Sequence, residues 1–142
     1  MKHNKLQQAV FDQLKRNHDW RFLEQGFMYP EKEDLLLRVI SDFRPVHTRK
    51  GNHLFGEIDI VGVRYVRRKP LICAYEIKTN GHGRGQVPTP ERIKKGLEQL
   101  LQFERYCGQT TVLSHIAYIG AVTLVPNVGG RLANNRFSLY EM

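Results

Sequence analysis

Two runs of strand-forming residues, roughly 53–66 and 71–78, flank the segment Arg67-Arg68-Lys69-Pro70, and such a pair is expected to close as a β-hairpin. Positions 59 and 76 are equidistant from the Arg67–Arg68 junction. A regular hairpin therefore sets Asp59 across from Glu76, and opposed residues project to the same face of a sheet. Alternation puts Leu71, Cys73, Tyr75 and Ile77 on one face of the second strand and Ile72, Ala74, Glu76 and Lys78 on the other. In the first strand it puts Phe55, Glu57, Asp59 and Val61 on one face, with Leu54, Ile58 and Ile60 opposite. Two carboxylates held face to face repel each other, and a divalent cation between them removes that cost. Mg²⁺ takes oxygen ligands in an octahedral shell and keeps several waters; Asp59, Glu76 and the Ile77 carbonyl would supply the protein part. Such an ion polarises a phosphodiester oxygen and acidifies a water. Lys78, on the same face, would orient or deprotonate that water and offset charge on phosphorus. The competing interpretation is a surface ion-pair cluster on a half-exposed sheet.

The rest of the chain frames this hairpin. Leu6, Val10, Phe11 and Leu14 recur at helical spacing, so residues 4–17 are expected to form an amphipathic helix with a basic outer face. A loop or short turn is expected through Asp19 to Pro30. Pro30 would open a second helix, with Glu31, Glu33 and Asp34 in its first turn and Leu36, Leu37, Val39 and Ile40 beneath. Pro45 bars that helix from continuing, Arg44 to Thr48 suits a short strand, and Arg49-Lys50-Gly51-Asn52 suits a turn. Beyond the hairpin, Gly81-His82-Gly83-Arg84-Gly85 is a glycine-rich basic loop. Thr89 as N-cap and Pro90 at the first helical position then start a helix running to about Tyr106, with Gly108 ending it. Residues 112–125 suit one long or two short strands, and 136–140 an edge strand. With 142 residues a single domain is expected: a helical extension over 1–29, a core over 30–126, and a tail or edge strand over 127–142.

Lys and Arg outnumber Asp and Glu by 22 to 14, a net charge of +8 with a pI near 9.7, which favours a polyanionic partner. Nucleic acid comes first, DNA above all, and a membrane surface second. Arg67, Arg68 and Lys69 at the hairpin tip, and Arg84, Arg92, Lys94 and Lys95 after the lysine strand, are the expected phosphate contacts. The most apolar stretch, Val112 to Val125, is shorter than a membrane span requires and carries Ser114 and His115. The start of the chain lacks the apolar run of a signal peptide, and Cys73 and Cys107 have neither metal-type nor disulfide-type spacing. A cytoplasmic, intracellular protein with core thiols follows as the expectation. The six histidines are scattered without the paired spacing of a zinc site.

The segment Gly56-Glu57-Ile58-Asp59-Ile60-Val61-Gly62, followed by Tyr75-Glu76-Ile77-Lys78-Thr79, resembles the PD-(D/E)XK nuclease superfamily, which includes Holliday-junction resolvases, restriction endonucleases and RecB-type exonuclease domains. The resemblance covers about two-thirds of the chain. It implies an α/β fold with a restriction-endonuclease-like α-β-β-β-α-β core, a mixed sheet flanked by helices. It also implies Asp59 and Glu76 as metal ligands, Lys78 as the catalytic lysine and Mg²⁺ or Mn²⁺ as cofactor. Many members carry a Glu on the helix before the sheet. Glu33 fits best, because Leu36, Leu37 and Ile40 follow it on the same side of the helix; Glu31 and Asp34 are rivals. Gln102-Phe103-Glu104-Arg105-Tyr106 is similar to the Gln-x-x-x-Tyr element of RecB-type nucleases, which implies that Gln102 and Tyr106 face the site and touch DNA. The implied activity is that of a metal-dependent deoxyribonuclease, endo- or exonucleolytic. A resolvase-like role would require a homodimer, whereas the Gln102 and Tyr106 element favours processing of ends or single strands. The alternative is a non-catalytic DNA- or RNA-binding protein on the same fold.

Overall fold

Leu6, Val10 and Leu14 recur every fourth position. In the computed structural model they form the buried stripe of α1 (His3–Asn17); the structure describes residues 3–47, 54–79, 88–119, 121–125 and the backbone of 138–141. The stripe packs on Ile60, Cys73, Tyr75 and Ile77 of the sheet. At the end of the helix the Trp20 indole donates to the Leu14 carbonyl at 2.7 Å, which pairs a carbonyl that the helix itself leaves open.

The expected loop at 19–30 holds a strand instead. β1 (Phe22–Tyr29) runs antiparallel to β2 (Gly56–Val66), from Phe22↔Val63 to Tyr29↔Gly56. Its sequence lacks a period-two pattern because Gly26 has φ +60, a conformation open to glycine at no steric cost. Alternation breaks there, and Phe22 and Phe27, five positions apart, pack in the same layer. Residues 3–29 are thus the first helix and first strand of the sheet, not an extension. The break crosses into β2, whose Ile58 joins Phe27 in one layer while Ile60 packs in the other. These two residues do not share a face as alternation alone predicts. Asp59 lies between them, opposite Gly26, in the gap of the ladder between Gln25↔Ile60 and Phe27↔Ile58, on either side of which the register is the same.

α2 (Glu33–Val39) opens at Glu33, not Pro30, because a turn comes first, with Lys32 N–H donating to Met28 O and Glu33 N–H to Pro30 O. No strand forms over 43–47; the Val46 N–H donates instead to the Tyr106 carbonyl. The expected turn at 49–52 and the glycine-rich loop with His82 and Arg84 lie outside the described residues.

The hairpin itself is tighter than expected. β2 and β3 (Lys69–Ile77) are joined by Arg67 and Arg68 alone, with φ of 52 and 68, the left-handed pair that matches strand twist. Lys69 and Pro70 belong to β3, opposite Val66 and Tyr65. The register holds to Ile60↔Tyr75, and one further step sets Asp59 against Glu76.

A crossover through α3 (Pro90–Cys107) makes β4 (Val112–Tyr118) parallel to β3; β5 (Ala121–Leu124) and β6 (Ser138–Glu141) follow antiparallel. The Thr89 side chain accepts from Arg92 N at 3.4 Å, and Gly108 at φ +67 ends the helix. The result is a mixed sheet in the order β1-β2-β3-β4-β5-β6. α1 covers one face, while Leu36 of α2 and Leu97, Leu100 and Phe103 of α3 cover the other. Cys73 and Cys107 are buried thiols. Among the described residues no helix is long and apolar enough to cross a membrane.

Candidate functional site

Asp59, Glu76 and Lys78 line one cleft of about 460 Å³, together with His3 of α1 and Arg92, Lys95 and Gln99 of α3. The hairpin brings the two acids together, and the helices close the cleft from either side. Asp59 is held firmly, its Oδ2 accepting from the Ile77 N–H at 2.8 Å. The Asp59 N–H lies 3.3 Å from Glu76 Oε1. The end of the β2–β3 ladder is therefore made by carboxylates accepting from the facing strand, and the Ile77 carbonyl lies beside His3 of α1. There a single nitrogen, His3 Nε2, sits 3.3 Å from Asp59 Oδ2 and 3.1 Å from the Ile77 oxygen.

Glu76 is only 2% exposed. Burial first, then the Asp59 charge, pushes its carboxyl up to about 8, against the pull of Lys78 and the Asp59 N–H. Lys78 Nζ stands 3.8 Å from Glu76 Oε2 and donates to Gln99 Oε1 at 3.2 Å. An ion pair at that separation does not satisfy Glu76, so the carboxylate is buried at a cost that a cation can offset. Among the described residues no three His, Cys, Asp or Glu side chains are already gathered at metal-ligand spacing. The convergent set is two carboxylates plus a carbonyl, with Glu76 turned toward Lys78 and the Asp59 amide. Nothing but hard oxygen donors is needed for Mg²⁺, and one donor atom already finds Asp59 Oδ2 and the Ile77 carbonyl together, so these residues fit a small divalent cation.

The other expected site residues are distributed differently. Glu33 is not part of the cleft lining. Its Oε1 accepts from the Tyr106 hydroxyl at 2.6 Å and lies 3.2 Å from His47 Nε2. Tyr106 is fully buried, with its ring 4.8 Å from that of Tyr29. Gln102 donates to the Phe55 carbonyl at 2.7 Å where the chain enters β2. These three residues pin α2 and the start of β2 to α3, and the glutamine that reaches the lysine is Gln99, further up the same helix. Tyr106→Phe is accordingly expected to cost about 1–2 kcal/mol of stability. Denaturant unfolding checks this; a variant as stable as wild type would mean that the hydroxyl does not help to hold the helices together.

Of the basic residues, Lys95 and Arg92 line the cleft, and Arg92 Nη1 reaches Thr79 Oγ1 at 3.5 Å. Lys94 is exposed outside it. Arg67, Arg68 and Lys69 stand at the opposite end of the hairpin; the strand from Asp59 to Arg67, at about 3.3 Å per residue, spans roughly 25 Å. They do not bracket the acids.

Sequence reasoning missed three members of the site. Gly96 lies over the acids: a Cβ there would stand 2.8 Å from Ile116 Cδ1, 3.0 Å from Lys78 Cε and 3.9 Å from Glu76 Cβ. A glycine inside a strong helix costs about 1 kcal/mol relative to alanine, and that anomaly was a legible signal of close approach. Gln99 was legible only as the residue one turn from Lys95. His3 left no local signal, because its place depends on how α1 docks. A second cavity of about 350 Å³, beneath α1, includes Arg64, His18, His115 and Tyr75 and has no carboxylate in its lining. His115 there stacks on Tyr75, and burial pulls its pKa down to about 4, so it stays a neutral core residue at neutral pH. No protein family, no curated protein and no solved structure matches the chain.

Proposed function

We propose that this protein is a divalent-metal-dependent nuclease that hydrolyses DNA phosphodiester bonds in the cleft between the β2–β3 hairpin and α3. The observation that carries the reading is the convergence of Asp59, buried Glu76 and Lys78 on one cleft that also holds Arg92 and Lys95, with the Ile77 carbonyl 3.1 Å from the His3 ring nitrogen of the same cleft. Element order adds support. With α1 as the leading helix, α1-β1-β2-β3-α3-β4 follows the restriction-endonuclease-like order, with α2 inserted after the first strand.

Asp59, Glu76 and the Ile77 carbonyl would hold Mg²⁺ or Mn²⁺, which when bound supplies Lewis acidity at the phosphoryl oxygen and acidifies a water. The Ile77 N–H fixes the Asp59 carboxylate. Gln99 fixes the Lys78 ammonium, which orients the attacking water and offsets charge gathering on phosphorus. Arg92 and Lys95 hold the neighbouring phosphates in place. In the net reaction water oxygen adds to phosphorus, the bond from phosphorus to the leaving sugar oxygen breaks, and that oxygen takes up a proton.

The test is incubation of the purified protein with labelled linear duplex, single-stranded and four-way-junction DNA, in Mg²⁺, Mn²⁺ or EDTA. Cleavage of at least one substrate with a cation, and of none in EDTA, is expected. Symmetrical nicks in the junction by a dimer in solution would identify a resolvase. Binding without cleavage under all conditions would favour a non-catalytic DNA- or RNA-binding protein.

A further inference from the structure

We infer that the cavity beneath α1 binds a small organic carboxylate with an aromatic or short aliphatic body, anchored by the Arg64 guanidinium. The inference goes beyond the nuclease reading and does not rest on it. Cys73 and Tyr75 line this cavity on the α1 face of the sheet, whereas Glu76, between Tyr75 and Ile77 in the same strand, lines the cleft. At about 350 Å³ it is large enough to enclose a small molecule. Arg64 carries the one permanent charge of the lining. Its Nε is cut off from solvent and meets no acceptor, and none of the ion pairs among the described residues includes it. An N–H of a charged group shut away without a partner is costly, and a ligand that supplies the acceptor recovers that cost.

The neighbouring groups do not supply the missing anion. Burial raises the Cys73 thiol and the Tyr75 phenol above their ordinary values, and burial lowers the imidazoles of His18 and His115, so all four stay neutral near pH 7. A single guanidinium balances a single negative charge, and its planar fork matches a carboxylate through two parallel hydrogen bonds. The rest of the lining suits an apolar body. Leu14, Leu113, Val122 and Leu124 supply aliphatic wall, and the Tyr75 and His115 rings, stacked at 4.3 Å, supply a flat one. Asn17 and His18 line the cavity from the exposed end of α1.

The experiment uses the full chain without metal or DNA, and the probes are benzoate, hexanoate, the neutral benzamide and inorganic phosphate. Calorimetry gives affinities, and amide NMR shifts at Arg64, Tyr75 and His115 give the place of binding. The Trp20 ring stands 5.5 Å from that of His18, and Trp20 is the only tryptophan of the chain, so its fluorescence reports the same event. Expected is binding of benzoate or hexanoate in the cavity with a Kd of about 1 mM or tighter, and at least tenfold weaker binding of benzamide and of phosphate. Arg64→Gln should weaken the carboxylate at least about tenfold and, since it removes an unpaired charge, should melt no lower than wild type without ligand. Leu113→Phe, which fills the cavity and keeps the guanidinium, should weaken it as well. No carboxylate-dependent shift at the three cavity residues overturns the inference. So does equal binding of benzamide, or of the carboxylate by a folded Arg64→Gln, because the guanidinium would then not be the anchor. Phosphate binding as tight as that of the carboxylates overturns the organic body and leaves a plain anion site.

Discussion

Glu76→Gln is expected to slow metal-dependent cleavage by about a thousandfold or more and, in the metal-free protein, to remove a loss of stability that wild type suffers as pH rises. Both effects come from one buried carboxyl. It sits between Asp59 and Lys78 with its Oε1 against the Asp59 amide, and glutamine keeps its size while removing the charge that would face a cation. In the folded chain the carboxyl is raised to about 8 from an ordinary value of 4.5, by burial first and by Asp59 second. Between those two pH values the unfolded chain has released a proton that the folded chain retains, so folding stability falls as pH climbs from about 4.5 to about 8. The contribution of this group is fully present below 4.5 and gone above 8. Glutamine has nothing to release. Denaturant titrations in EDTA at pH 5, 6.5 and 8 should show wild type losing on the order of a kcal/mol or more relative to the variant across that range. Adding Mn²⁺ at pH 8 should stabilise wild type and not Glu76→Gln. Parallel pH profiles for the two proteins would mean that the carboxyl is not strained by its surroundings.

Gly96→Val is expected to lower turnover by about a hundredfold and to destabilise the fold by about 1–3 kcal/mol. The first carbon of any side chain at this position meets Ile116 Cδ1 at 2.8 Å and Lys78 Cε at 3.0 Å. Ile116 is buried in the core, so it yields little, and the lysine stem is the part that gives. Displacing the stem moves Nζ away from Gln99 and the acids. Helix propensity pulls the other way, since replacing an interior glycine gains a fraction of a kcal/mol, but the clash is larger. Gly96→Ala should show the same loss in weaker form. Turnover on the cleaved DNA and melting of the same samples check this, and a valine variant with wild-type turnover would mean that Lys78 has no need of its present position.

Much of the geometry of the candidate site was legible because pairing in a hairpin is a matter of counting. The midpoint of positions 59 and 76 falls at Arg67-Arg68, inside the expected four-residue turn, and the structure turns on those two residues alone, with Lys69 and Pro70 already paired in β3. α3 was equally clear, because Thr89, Pro90 and Gly108 mark its ends chemically. β1 was hidden by Gly26. Once that residue breaks alternation, the strand has no period to detect, and the same break moves Ile58 and Ile60 into different layers. Glu33 was read toward the acids because its helix face is apolar on the correct side. What decides its direction is a partner distant in sequence, the Tyr106 hydroxyl, which helical spacing does not reveal. His3 illustrates the same limit, since only the docking of α1 brings it to Asp59.

The central claim is that Asp59 acts in chemistry and not in DNA affinity, and single-turnover cleavage by wild type and Asp59→Asn tests it most directly. The measurement is made with protein in excess, on whichever DNA wild type cuts, in saturating Mg²⁺ or Mn²⁺, with binding measured in parallel. Phosphate affinity belongs to Lys and Arg side chains, so the variant is expected to bind within a few-fold of wild type and to cut at least about a thousandfold more slowly. Cleavage by Asp59→Asn at the wild-type rate would contradict the account.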